Sequence, residues 1–326
     1  MTHTSCKYTG PGGNACPEPA AGSAGLCYWH DPAVAKDDPA IKPKLEQLAR
    51  SGRPLEGYVL RGAALRDADL TFGNTDRRVN LSHADLSRAD LTGAHLFNAD
   101  LHGASLLKAC LDGANLNNAN LEDANLLGVE LEGTSLERVR WGKELRQERL
   151  ARAAHHAGRE EEAKDLYGEA EQIARHLTAV NESLGHYILG GHYYHKEKIM
   201  RRMQMRRYSR EWATSKLVDL LCGYGEDAHR VIAFSFGVVL VSATLYFLFG
   251  VRADHAMVGL DPRAGLEHNL LDLLTCIYFS IVTFTTVGFG DVVPVGLSRA
   301  VAAIEAFIGV FSISLFVVVF VRKMMR

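Results

Sequence analysis

The chain has 326 residues, 36 Lys and Arg against 38 Asp and Glu, a formal net charge of −2 and 47% hydrophobic residues. Its mean hydropathy is −0.05. These values exclude a collagen, a mostly disordered chain and a densely disulfide-bonded mini-protein, and the near-zero charge gives no sign of a nucleic-acid partner. The averages conceal a mosaic: roughly the last hundred residues are largely apolar, and what precedes them is polar.

Residues Met1 to Cys27 lack a basic stretch and an apolar stretch, so no secretory signal peptide is expected and the N-terminus is placed in the cytosol. Of the six cysteines, Cys110, Cys222 and Cys276 stand alone and are expected to behave as small apolar residues in a reducing compartment. Cys6, Cys16 and Cys27 sit in a Gly/Pro-rich segment, residues 1–34, that cannot build its own core. Cys27-Tyr28-Trp29-His30 puts a thiolate and an imidazole three apart, and Cys6 and Cys16 complete a tetrahedral Cys₃His set for a structural Zn²⁺. His3 is a substitute ligand, and the plainer reading is a loose tail with chance cysteines.

From Leu60 to Trp141 the sequence repeats every five residues. Leu81, Leu86, Leu91 and so on to Leu136 hold the phase, with a small residue two before each, from Ala84 to Ala124 and then Val129 and Thr134. An earlier block, Leu60, Leu65 and Leu70, is separated by an irregular stretch from Phe72 to Val79, a loop that shifts the register by one. A period of five fits neither helix nor strand, so it predicts a solenoid. These residues resemble the pentapeptide-repeat family, which implies a right-handed quadrilateral β-helix over residues 55–141 with four repeats per coil. It also implies a filled shaft with no substrate pocket, so no enzyme is expected. Some members imitate DNA with an acidic surface; the outward Arg88, His95, His102 and Lys108 weaken that here. A rigid spacer, coil-stacking platform or docking surface is the expected role.

Residues 142–229 predict a helical linker. The stretch from Ala153 to Ala170 looks like the turn between two tetratricopeptide-type helices, as a structural connector or a peptide-binding site. A basic run follows: Lys196, Lys198, Arg201, Arg202, Arg206, Arg207, Arg210 and Lys216. Lying just before an apolar span, it is expected to meet anionic headgroups of the bilayer rather than nucleic acid.

Residues 230–326 predict a membrane unit. The stretches 231–250 and 297–321 are long and apolar enough to span. Basic residues flank both (Arg230; Arg322, Lys323, Arg326), which places both termini in the cytosol of a multi-pass cell-membrane protein. Between the spans, an apolar segment near 270–285 leads into Thr286-Val287-Gly288-Phe289-Gly290-Asp291. This hexapeptide and the order around it resemble the two-transmembrane potassium-channel family, of prokaryotic type. The resemblance implies an all-α pore with a re-entrant pore helix and a filter of backbone carbonyls, Thr286 to Phe289, passing K⁺. The carbonyl cage needs four chains, hence a homotetramer. Phe289 replaces the commoner Tyr, and Val282 stands where members often carry a Glu that pairs with the filter Asp; Tyr278 is the candidate partner for Asp291.

Gly223-Tyr224-Gly225 imitates the motif but reads as a turn before the first span. Glu305, ionisable at membrane depth, is expected to hydrogen-bond behind the filter rather than line the ion path. Gly309 is a candidate gating hinge, with close packing against the pore helix as the alternative. Ser312 and Ser314 are expected to face the cavity, and Phe316, Val317, Phe320 and Val321 to form an apolar constriction. The chain stops soon after the second span, so regulation is expected through the N-terminal domains. The function expected is passive K⁺ conduction; the alternative is a membrane-anchored pentapeptide-repeat scaffold with a vestigial pore.

Overall fold

The computed structural model describes residues 5–13, 15–21, 24–72, 77–254 and 256–324. His3, Arg326 and the middle of the irregular stretch after Phe72 lie outside them. The chain divides into two compact units, Met1–Gln204 and Met205–Arg326.

The first unit is built on the five-residue repeat. Parallel bridges join Asn80 to Asp100, Asp100 to Asn120 and Asn120 to Arg140, a step of 20 residues. Columns through Asp85, Asp90 and His95 keep the same step, so four pentapeptides complete one coil and four columns run along the stack. Val59 to Asp85, Ala64 to Asp90 and Asp69 to His95 are each 26 apart, because the irregular stretch adds six residues to one coil. The Leu and Ala of the repeat fill the shaft; Leu60 through Leu116 are wholly buried.

Two further repeat positions have physical reasons. Where Asp or Asn precedes the Leu, its side chain bonds its own backbone two residues on. The Asp90 carboxylate accepts the Thr92 N–H at 3.1 Å and its hydroxyl at 2.6 Å, and Asn115 accepts the Asn117 N–H at 3.1 Å. The residue two after each Leu turns the corner with positive φ, 57° at His83, 69° at Gly93 and 54° at Lys108. The chain bends there once per repeat.

A helix absent from the sequence reading, α1 (Ile41–Arg50), buries Ile41, Leu45 and Ala49 in the same core. Next come α2 (Arg146–His156), α3 (Glu160–Ser183) and α4 (Tyr187–Gln204), two helical hairpins that share α3. They are not a free-standing linker: Ala151, Tyr167, Leu177 and Met200 belong to the core of the repeat coils. Gln147 Nε2 donates to Asn125 Oδ1 at 2.6 Å, and Arg149 forks onto Asp123 at 2.7 and 2.8 Å. The segment expected as one linker over 142–229 is therefore split, α2–α4 going with the coils.

The second unit starts with α5 (Arg210–Cys222), capped by Ser209 accepting the Trp212 N–H at 3.1 Å. Gly223–Gly225 forms a 3₁₀ turn, so the imitation motif is an elbow. Two long apolar helices, α6 (Ala228–Phe249) and α8 (Ser298–Met324), enclose α7 (Leu266–Phe284) in the sequence. After α6 come β1 (Val251–Ala253) and β2 (Ala256–Val258), and after the hexapeptide comes β3 (Val292–Pro294). The antiparallel order is β2-β1-β3, with Arg252 opposite Val293.

Candidate functional site

The hexapeptide leaves the C-terminal end of α7. Thr286 N–H donates to the Thr283 carbonyl and Val287 N–H to the Val282 carbonyl, both at 3.0 Å. Thr286, Gly288 and Gly290 have φ of 57°, 58° and 83°, while Val287 and Phe289 stay in the ordinary region. A regular strand throws successive carbonyls to opposite sides; alternating hands turns them to one side. Glycine makes this cheap at positions 288 and 290, and Thr286 holds it without that freedom. In the single chain the Val287 and Phe289 side chains are exposed, at 54% and 69%.

The loop is held at both ends. At its far end Asp291 Oδ2 accepts the Tyr278 hydroxyl at 2.8 Å, and β3 pairs at once with β1. Val282 is buried and makes no polar link to Asp291. At its near end α8 presses on α7: a Cβ at Gly309 would overlap the Phe284 carbonyl oxygen. Of the two expectations for Gly309, this geometry answers to close packing. Glu305 is 1% exposed; its carboxyl meets the Tyr246 hydroxyl at 2.5 Å and the Ser280 hydroxyl.

One face of α8 borders the loop. A hollow of about 440 Å³ on the other side of the helix meets α6, whereas a hollow of about 430 Å³ is lined by Thr286, Phe307, Val310, Phe311 and Ser314. Ser314 thus shares the Thr286 side, and Ser312 does not: it is buried at 2%. The helix turns about 100° per residue, so Phe316 and Phe320 lie on the side opposite Ser314, while Val317, Val318 and Val321 continue its face. Phe316 packs instead on the cluster of Cys222, Val231 and Val319, and stacks on Phe320 at 5.7 Å. Phe316 and Phe320, expected at a constriction, thus lie away from the Ser314 face of α8 in the single chain.

At the elbow, Arg230 Nη1 donates to the Asp219 carboxylate at 3.1 Å and carbonyl at 2.9 Å, and Arg230 Nε to Asp227 at 3.1 Å. Arg322, near the end of α8, pairs with Glu226 at 3.2 Å. The basic run is partly spent inside the first unit: Lys196 pairs with Glu148 at 2.7 Å, Lys198 with Glu197 at 3.1 Å, and Arg202 is buried.

Cys6, Cys16, Cys27 and His30 converge, all four buried, with ligand atoms within 4.8 Å of one another. Cys16 Sγ lies 3.8 Å from Cys27 Sγ, and His30 Nδ1 lies 3.2 Å from Cys27 Sγ and 3.7 Å from Cys6 Sγ. The edge of a tetrahedron of thiolates around zinc is about 3.8 Å. His30 Nε2 faces the Glu56 carbonyl at 2.9 Å. A carbonyl only accepts, so Nε2 carries the proton and Nδ1 offers its lone pair to the sulfurs. Burial holds the imidazole below its ordinary value, in the neutral form a metal needs. Burial also pushes the Cys16 thiol up to about 12 and the Cys27 thiol up. Cys6 goes the other way: burial opposes it, but hydrogen bonds from the Tyr8 and Cys27 amides and the neighbouring Cys27 and Cys16 thiols together prevail. Tyr8 stacks on His30 with ring centroids 3.8 Å apart, and Val59 N–H donates to the Trp29 carbonyl at 2.8 Å, tying the cluster to the first coil. These residues can hold a metal ion.

Comparison with known proteins follows the same division. Residues 234–326 match a family described as "Ion channel", and residues 77–113 and 108–138 match "Pentapeptide repeats", in 8 copies. Neither is a family of enzymes. The "Two pore potassium channel a" of Oryza sativa subsp. japonica is 37% identical over 84 residues, which are 26% of this chain and 23% of that protein. "Protein LctB" of Geobacillus stearothermophilus is 29% identical over 83 residues, which are 26% of this chain and 62% of that protein. The chain spans less than two thirds of each of these relatives. A solved pentapeptide repeat protein from the cyanobacterium Cyanothece 51142 is 38% identical, covering 28% of this chain and 58% of that one at a TM-score of 0.25. The two apolar helices α6 and α8 agree with a membrane protein. The chain thus joins a segment that matches pentapeptide repeats to a segment that matches an ion channel domain and is similar to part of a potassium channel.

Proposed function

We propose that the chain is one subunit of a potassium-selective channel that conducts passively across the cell membrane of a prokaryote-type cell. The observation that carries this is the alternation of hand at Thr286, Gly288 and Gly290 between two apolar helices. A dehydrated K⁺ needs rings of carbonyl oxygens, and one chain offers one strip. Four chains as a homotetramer then close the filter from Thr286 to Asp291, with α7 as a re-entrant pore helix. Tyr278 and Glu305 support the loop from behind. Gly309 serves as a packing contact, and Val317, Val318 and Val321 narrow the inner mouth.

In this reading both termini are cytoplasmic, and the repeat coils form a right-handed quadrilateral β-helix in the cytosol. The four-residue Cys/His cluster takes Zn²⁺ as a structural ion: three thiolates and one neutral imidazole match its preferred donor set. Exposed Leu217, Val218 and Leu220 on α5, beside Arg206, Arg207, Arg210 and Lys216, favour the anionic headgroup layer.

The test is flux. Purified protein in liposomes is expected to carry a Ba²⁺-blockable K⁺ current and to exclude Na⁺. If no such flux arises over a range of potential, pH and redox conditions, the reading as a membrane-anchored scaffold takes its place.

A further inference from the structure

Ser280 of α7 has one hydroxyl proton and two acceptors within reach. Its Oγ lies 2.9 Å from the Val239 carbonyl of α6 and also touches Glu305 Oε1 of α8. Glu305 Oε2 meets the Tyr246 hydroxyl of α6 at 2.5 Å. A carbonyl cannot donate, so the contact with Val239 uses the Ser280 proton. If Glu305 were ionised, its contact with Ser280 would then join two acceptors. A proton on Oε1 resolves the conflict: Oε1–H donates to Ser280, Ser280 donates to Val239, and Tyr246 donates to Oε2. Each of these three contacts is then satisfied, and the Ser242 hydroxyl, which also bonds the carboxyl, is compatible with either protonation state.

Position agrees with the proton count. Tyr246, Ser280 and Glu305 are all 0–1% exposed. The groups that face the carboxyl are Tyr246 and Ser242 from α6 and Ser280 from α7, and none is a cation. An unpaired carboxylate in such a place carries a large desolvation cost, which the un-ionised acid avoids.

We propose that Glu305 works as an un-ionised carboxylic acid, donor to Ser280 and acceptor from Tyr246, in a chain of hydrogen bonds that starts and ends on α6 and passes through all three helices of the pore unit. It is a positioning residue: it touches no ion, and it fixes α7, from whose end the filter springs. The proposal rests on reading α6–α8 as that pore unit.

The test uses the full-length protein in lipid vesicles at neutral pH. Infrared difference spectra between wild type and Glu305→Gln should show the loss of one un-ionised carboxyl C=O stretch and no loss of a carboxylate band. Tyr246→Phe should move that C=O stretch to higher frequency, because its acceptor oxygen loses a donor. An amide reproduces one donor and one acceptor, so Glu305→Gln should keep K⁺ flux within about twofold, while Glu305→Ala should lower it about tenfold, the factor set by one unmet buried hydrogen bond. A carboxylate band lost in Glu305→Gln, or a Glu305→Gln flux as low as that of Glu305→Ala, overturns the proposal. If Glu305→Gln fails to assemble, the Tyr246→Phe spectrum decides. The spectra need no conduction, so a silent pore would sink the channel reading and leave this one to be judged alone.

Discussion

At Gly309 a single added methyl group meets the backbone of α7, since its place is taken by the Phe284 carbonyl. Gly309→Ala is therefore expected to cost about 1–3 kcal/mol, the usual range for overpacking. Thermal stability of the assembled protein should fall, and a flexible hinge would predict no such loss. Cys27→Ser removes one of four converging ligands. Metal analysis of the purified protein should show about one equivalent of zinc for wild type and a tenth or less for the variant, in line with the steep dependence of structural sites on ligand count. Unchanged metal content would refute the site. At this scale the sequence was informative where chemistry is written in residue type. Three cysteines and a histidine announced a cluster that can hold a metal ion, and TVGFG announced a loop whose backbone alternates in hand. It was silent on direction: Phe316 and Val317 are equally apolar neighbours, and only the helical phase relative to Thr286 separates them.

The elements are held by local rules that a period alone does not reveal. The aspartates that precede repeat leucines use their carboxylates as acceptors. Hydrogen bonds from Thr92 hold Asp90 below the ordinary carboxylate value, and those from Thr71 hold Asp69 there; for Asp85 burial opposes, and Ser87 and Arg61 prevail. A lowered folded-state value means that this stability is present above the unfolded value, about pH 4, and is lost as pH falls through the folded one. Acid titration of the repeat signal by circular dichroism should thus show unfolding below about pH 4, and Asp90→Asn should shift the midpoint. At the elbow, a double-mutant cycle of Glu226→Gln and Arg322→Gln should give a coupling of about 0.5–1 kcal/mol in thermal stability, as for a partly exposed pair. Additive effects would show that the pair holds nothing. The repeats, the two long apolar helices and α7 were all legible because each has its own periodicity. The helix α1 and the three short strands were not. Three residues carry too little pattern to mark a strand, and the pairing of β1 with β3 reaches across β2, α7 and the hexapeptide in sequence.

Over the whole molecule, the proposed filter chemistry sets a number. The protein in mild detergent is expected at four times the 35.8 kDa chain mass, measured by light scattering. A monomer under conditions that preserve flux would contradict this. The step of 20 residues between bridged positions bears on another freedom of design. Each pentapeptide advances the chain by about a quarter turn, and four lift it by one inter-strand spacing, about 4.8 Å. Inserting a full set of four would raise α2–α4 without turning them. Inserting one would swing them round the shaft by about 90° while hardly lifting them. Length and azimuth are separately adjustable in such a stem, as on an indexing spindle. Repeat number can thus drift in whole coils while the helices keep their bearing, and any other change re-aims them.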